Sequence, residues 1–373
     1  MSYLVQIIDD LGSLQNEIWN SAAPQAAFHD AQWMRFAQQI IKDFRPLCAL
    51  LMEGEQVVGT ASFVLSNDPG VTLESGFGRY ILQTLLKRYP LLLCQTPIAN
   101  KSGLVLPVGH ETEGLLALDS AVRAHIGRYH TSFLVYGWLS EAEKVSFERS
   151  GKYNVVALDS GMSLKIQWAN FEDYHKTLSR TMRRNVKRHD KAATEMGIRL
   201  ERTHHFAHET PHMMQLVHNV WQHHGNDFAF PYRDDMFATV ERDLPNNSIM
   251  IFARQHDQIV GLGLLIWDKD VMTWAMLGLD YSVRYVYFQI IYEAIRVAID
   301  LGIKTIQGGT GAYEFKRRLG FTEQPSQVAF GASLPILRWF ANRLAPTVVR
   351  DTGEDENEGA NTVPASDTAV NLD

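Results

Sequence analysis

Residues 258–321 constrain this chain more than any other stretch, because they read as strand, strand, helix, strand and helix in unbroken succession. Residues 259–267 and 271–279 are apolar runs split by the polar Asp268-Lys269-Asp270, the pattern of an antiparallel hairpin. Residues 285–301 then place Ile290, Ile291, Ala294, Ile295, Ala298 and Leu301 on one helical face, and Gly302 ends the helix. Residues 303–307 are short and β-rich, and Gly308-Gly309-Thr310-Gly311 turns the chain into a second helix over 312–319. On that helix Phe315 and Leu319 are four apart and face the core, whereas Tyr313, Lys316 and Arg317 share another face and can point into a cleft.

A related pattern stands earlier in the chain. Residues 46–52 and 56–65 are apolar runs joined by Glu53-Gly54-Glu55, and residues 248–254 and 258–267 are joined by Gln255-His256-Asp257. Both hairpins carry Val-Gly early in the second strand, at Val58-Gly59 and Val260-Gly261. A separation of about two hundred residues is too long for a solenoid and suits duplication of a whole domain. Ahead of the first hairpin, residues 28–41 form an amphipathic helix with Trp33, Phe36, Ala37 and Ile40 on its apolar face and Asp30 as cap. Between the hairpins the pattern predicts strands over 89–96 and 131–139, a helix over 111–127 and one or two strands within 153–168. Gly76-Phe77-Gly78, flanked by Glu74 and Arg79, reads as a mobile loop or an anion-binding turn. A last amphipathic helix is expected over 335–344.

The order strand, helix, strand and short helix that closes on Gly320-Phe321 resembles the second half of the GNAT acyltransferase fold. Its ending, Lys316-Arg317-Arg318-Leu319-Gly320, resembles the FemAB-like branch, which includes peptidoglycan aminoacyl transferases. The resemblance implies an α+β chain of two tandem GNAT-like domains, each a mixed, mostly antiparallel sheet flanked by helices. The N-terminal domain would cover 1–167, the C-terminal acyltransferase domain 168–347, and an acidic disordered tail 348–373. An activated acyl donor would lie where two strands splay. Its pyrophosphate would rest on the free N–H groups at the start of the 285–301 helix, with Gly278, Leu279, Arg284 and Tyr285 around it. Lys316 matches the lysine of the family's Tyr-Lys pair and would bind a phosphate or carboxylate of the acceptor; Phe315 replaces the tyrosine. Asp280 is assigned proton acceptance, with a strand-end cap as its other role, and Tyr313 is assigned the acid. Residues 279–287 lack the glycine-rich phosphate loop usual in GNAT proteins, so a bulkier donor or aminoacyl-tRNA stays open beside acyl-CoA and acyl carrier protein.

Two further stretches bear on partners. In 176–191, KTLSRTMRRNVKRHDK, the cations Arg180, Arg183, Arg184, Lys187, Arg188 and Lys191 recur every three or four residues, opposite an apolar stripe of Leu178, Met182 and Val186. Such a helix is either a solvated surface or a contact for a polyanion: a nucleotide carrier, a tRNA acceptor stem or an anionic lipid surface. Seven histidines follow, His204, His205, His208, His212, His218, His223 and His224. Pro211 interrupts the His208/His212 pair and no HExxH glutamate is present, so no metal site is expected. His223 and His224 open a polar loop through Asp227 that is a candidate acceptor contact.

The net charge of −7 names no partner, because residues 351–373 hold seven acidic side chains and no Lys or Arg, leaving 35 acidic and 35 basic side chains elsewhere. That tail lacks aromatics and reads as disordered. Cys48 and Cys94 each lie in an apolar run, as reduced buried thiols of a cytoplasmic protein do. The start of the chain carries acid early and no basic leader, and no apolar run reaches the roughly 18 residues a membrane span needs. Together with the GNAT and FemAB-like resemblance, these features set three expectations. The first is N-acyl transfer from acyl-CoA or acyl carrier protein to an amine or hydroxyl of a small or lipid-linked acceptor. The second is tRNA-dependent aminoacyl transfer to a cell-wall precursor, and the third a catalytically silent recognition module.

Overall fold

Continuous apolar runs bounded by tight turns form the sheets of two units in the computed structural model, which describes residues 3–67, 80, 84–126, 131, 133–223 and 230–332. The first unit holds the chain to Ser160 and again from Pro325; the second begins at Gly161 and ends at Gln324. The expected turn at Gly76-Phe77-Gly78, the helix over 335–344, the acidic tail and His224 lie outside the described residues.

In the first unit β1 (Leu4–Ile8) is followed by the short α1 (Asn16–Ser21) and by α2 (Ala31–Ile40). Asp30 caps α2 by accepting from the Trp33 N–H, and α2 buries Trp33, Phe36, Ala37 and Ile40 as the pattern requires. β2 (Arg45–Glu53) and β3 (Gln56–Ser66) form the first hairpin, β1 lies antiparallel on β2, and β4 (Leu91–Cys94) lies antiparallel on β3. The short β5 (Leu104–Val105) pairs with β3. After α3 (Glu111–Ile126) comes β6 (Phe133–Leu139), which runs parallel to β4 with Leu92, Leu93 and Cys94 facing Leu134, Val135 and Tyr136. A right-handed helical crossover is the ordinary way to join parallel neighbours. Then α4 (Glu141–Ser150) leads into β7 (Asn154–Lys165), which begins in the first unit and ends in the second. Cys48 and Cys94 are buried free thiols, and burial pushes Cys48 up to about 12.

The second unit repeats this order. Two helices, α5 (Phe171–Thr177) and α6 (Arg180–Glu195), precede β8 (Ile198–Thr203); α7 (Thr210–His223) and α8 (Met236–Asp243) precede β9 (Ser248–Gln255). β9 and β10 (Gln258–Asp268) form the second hairpin through His256 and Asp257, both at positive φ, the two-residue turn whose twist matches the flanking strands. β11 (Val271–Leu279) pairs with β10, and α9 (Val286–Asp300) crosses to β12 (Thr305–Gly309), parallel to β11. The short α10 (Tyr313–Arg318) and β13 (Thr322–Ala332) close the described chain.

Each repeat's last strand is used in the other unit. The end of β7 pairs with β12, Lys165 opposite Thr305, and the end of β13 pairs with β6, Ala332 opposite Phe133. A buried cluster fixes that last pairing: Arg123, held by Asp119 at 2.7 Å and bonded to the Tyr153 hydroxyl, reaches the carbonyl of Ala332.

α9 lies almost against β10 because two glycines let it. A Cβ on Gly261 would sit 2.2 Å from Val286 Cγ1, and one on Gly263 2.6 Å from Ile290 Cγ2. We therefore expect Gly261→Ala to lower stability by about 1–3 kcal/mol through overpacking, seen as a lower urea midpoint. Thr181→Ala, on an exposed position of α6, should change it by no more than about 0.5 kcal/mol.

Candidate functional site

Parallel pairing between β11 and β12 covers only Val271, Met272 and Thr273 opposite Thr305, Ile306 and Gln307, although β11 continues to Leu279. Past that point the strands diverge. β12 follows β7 instead, with an irregularity between Gln307 and Gly309. The gap is a cavity of about 340 Å³ lined on one side by Trp274, Met276 and Leu279 and on the other by Gly308, Thr310 and Lys316.

The start of α9 forms a third wall through Tyr285, Val286 and Tyr287. Tyr285 is the N-cap in the left-handed region, φ 68°, with no side-chain cap, and the first turn carries no acid. The first-turn N–H groups, which point out of the helix end, and the positive end of the helix dipole thus meet at the cavity, a combination that favours anions. α3, the corresponding helix of the first unit, begins with Glu111 and Glu113 in its first turn, which disfavours an anion there.

Lys316 is 4% exposed and lines the cavity, its Nζ donating to the Thr310 carbonyl at 2.8 Å. Its helix is pinned by the Tyr174 hydroxyl, which donates to the Leu319 carbonyl at 2.9 Å, and by Phe315, whose ring meets Phe288 edge-on at 4.9 Å. Asp280 lines the cavity and makes a local turn, its Oδ1 accepting from the Ser282 N–H at 2.9 Å and hydroxyl at 2.6 Å. Its Oδ2 has no partner among the described residues. The strand-end role and the cavity position therefore coexist.

Of the other expected site residues only some line the cavity. Tyr313 packs half-buried against the core and does not line the cavity, and Arg317 turns outward to Glu323 at 2.7 Å. Gly278 faces α7, where a Cβ would come within 2.9 Å of Leu216 Cβ, so its glycine serves helix packing. Leu279 lines the cavity and its carbonyl accepts from Asn219 Nδ2. Arg284 is exposed and outside the lining. His223, at the end of α7, lines the mouth and stacks on Tyr281 at 4.1 Å.

On α6, Arg183 is diverted from any outward contact because it donates to the carbonyls of Lys176 and Leu178 and so finishes α5. Leu178 is the C-cap of α5 and precedes the apolar stripe of α6, which is Met182, Val186, His189 and Ala193. Arg180, Arg184 and Lys187 are exposed. His208 precedes α7 while His212 lies on it, so the two share no helix.

The chain was compared with known proteins. The family model described as peptidoglycan biosynthesis/recognition, FemAB-like, matches residues 13–348. The chain belongs to the FemAB-like family. Among solved structures this FemAB-like chain is similar to FemX, with a TM-score of 0.58 at 9% identity over 88% of this chain and 97% of that one. It is also similar to a tandem GNAT protein from the clavulanic acid biosynthesis pathway, with a TM-score of 0.51 at 11% identity over 89% and 99%. L-PGS from Bacillus licheniformis matches with a TM-score of 0.50 at 10% identity over 86% and 92%. Comparison with the curated proteins gave no match. At these identities the likeness is one of fold: two tandem GNAT-like domains, each a mixed, mostly antiparallel sheet flanked by helices. No described helix is long and apolar enough to cross a membrane.

Sequence reasoning missed three features of the FemAB-like site. Trp274 Nε1 and Gln307 Oε1, beside the point where pairing stops, are buried without hydrogen-bond partners among the described residues. Nothing in a strand pattern marks where a ladder ends. The third is His189, whose ring stacks on Phe288 at 4.4 Å, lies 5.5 Å from Tyr285 and is 2.9 Å by Nδ1 from the Tyr292 hydroxyl. Burial, with Arg188 beside it, pulls His189 down to about 4. The unfolded chain, with a histidine near 6.5, binds the proton first as pH falls. Stability from this site is therefore complete above about pH 6.5 and is lost progressively toward pH 4, on the order of 2 kcal/mol. The urea midpoint should show this slope, and His189→Gln should flatten it.

Proposed function

We propose that the chain is an N-acyltransferase that moves an acyl group by direct transfer from acyl-CoA or acyl carrier protein to an amine or hydroxyl. The observation that carries this reading is the early end of β11–β12 pairing over an uncapped helix start, with a buried lysine on the opposite wall. Beyond Thr273 the free edge of β11 offers backbone groups to an amide-bearing arm, as an added strand would use them. The donor's phosphates would rest on the N–H groups at the start of α9, with Arg284 nearby as a further cation.

The acceptor nitrogen attacks the acyl carbonyl carbon, Asp280 takes the proton released from it, and the thiolate leaves with a proton from solvent. Hydrogen-bond donors at the splayed edge would hold the oxyanion. Lys316 would hold an anionic group of the acceptor, and its burial strengthens that attraction relative to a surface cation. Acceptors of this description include lipid-linked and cell-wall precursors. The second reading, transfer from aminoacyl-tRNA, is favoured by one observation: residues 279–287 contain no glycine-rich phosphate loop, so the donor need not be CoA.

Purified chain should gain thermal stability with acyl-CoA or acyl carrier protein, about 2.7 kcal/mol at a hundredfold excess over Kd, and none with charged tRNA. A shift with charged tRNA alone selects the second reading, and none with any donor leaves a recognition module. With a turning-over donor, Lys316→Ala should reduce kcat/KM roughly 10- to 100-fold; unchanged kinetics would remove Lys316 from the site.

A further inference from the structure

The exposed side of α6 carries a row of cations, four of which meet no carboxylate among the described residues. The helix buries Met182, Val186, His189 and Ala193. At about 100° per residue, Arg180, Arg184, Lys187 and Lys191 fall in a narrow strip on the side opposite that buried stripe, with Arg188 beside them. All five are exposed. Among the described residues no carboxylate lies within salt-bridge distance of Arg180, Arg184, Lys187 or Arg188, while Lys191 reaches the exposed Glu195 at 3.7 Å. The one acid inside the row's span, Asp190, is turned aside to Gln289 at 3.0 Å and Arg296 at 3.9 Å.

Surface helices ordinarily intersperse both signs to limit self-repulsion. Here the row is left unneutralised and points directly away from the core. Its shape restricts what it can meet. Residues 180–191 span about 16 Å along a straight ridge, and a ridge touches a plane along its whole length. A nucleic-acid duplex would meet it over one strand's phosphates only, and α6 presents no exposed aromatic side chain on which unpaired bases could stack, its one ring, His189, being buried. The strip also bears no exposed apolar anchor, so the contact it suits is electrostatic and reversible.

We propose that α6 docks this protein on an anionic lipid surface, with Arg180, Arg184, Lys187, Arg188 and Lys191 as the contact. The docking stands on α6 alone. Its consequence for catalysis rests on the acyltransferase reading: α6 packs on the start of α9 through His189, Tyr285 and Phe288, so a docked molecule would hold its cavity beside the headgroups.

The test is co-sedimentation of the full chain with vesicles of phosphatidylcholine alone or with about one-third phosphatidylglycerol. Binding is expected only with the anionic lipid, and it should vanish near 1 M salt, where the screening length falls to about 3 Å. Each cation at such a surface contributes about fivefold, so R184Q/K187Q should weaken partitioning about 25-fold, whereas R184K should bind like the native chain. The melting temperature of R184Q/K187Q reports whether the fold is kept, and its donor-induced thermal shift should equal that of the native chain. No binding to anionic vesicles, equal binding to neutral ones, or native-like binding by a folded R184Q/K187Q would overturn the proposal. So would displacement of the chain from vesicles by an RNA hairpin bound more tightly at the same salt, which would make the row a nucleic-acid surface. Failure of vesicle binding with an intact donor shift rejects the docking and leaves the transferase reading standing.

Discussion

The termination of one short parallel ladder governs the second unit. Thr273 and Gln307 are the last partners between β11 and β12, and two neighbouring packing decisions keep the strands from closing again. Gly261 and Gly263 draw the start of α9 onto β10, and Phe321 sits so close to Gly308 that any side chain there would collide with it, a Cβ lying 2.8 Å from its ring. The wedge is thus a product of helix-on-sheet packing. Its floor is apolar, its rim is backbone, and its deeply buried cation, Lys316, is held by the Thr310 carbonyl six residues before it in the chain.

The first unit shows what the same topology does without these features. Its parallel pair also has three partnered positions, but β4 stops where the pairing stops, so no free strand edge extends beyond it. Its crossover helix opens with two glutamates where α9 has none. Duplication preserved the order of strands and helices, while the charge at one helix start and the length of one strand diverged. Those two differences set the start of α9 and the edge of β11 apart from their counterparts in the first unit.

Much of this was legible in the sequence because it rests on local pattern. The hairpins, the capped helix at Asp30, the long apolar face from Ile290 to Ala298 and the basic stretch before the second domain all follow from periodicity and turn chemistry. Lys316 and Asp280 came from their positions relative to a strand end and a glycine turn, and both line the cavity. What failed depended on tertiary contacts. Tyr313 and Lys316 are three apart on a six-residue helix, too short for spacing to decide which one turns inward. Arg183 looks like its basic neighbours until the end of α5 supplies carbonyls within reach. Gly278 stands at the strand end expected to meet the donor, but α7 needs the space.

The exchange of closing strands bears on how the polypeptide matures. A ribosome releases β6 long before β13, which carries its antiparallel neighbour. Until the last described residues emerge, the earlier sheet has an open edge, the kind of surface that recruits stray strands. Vectorial synthesis therefore cannot complete the amino-terminal sheet until β13 has been made.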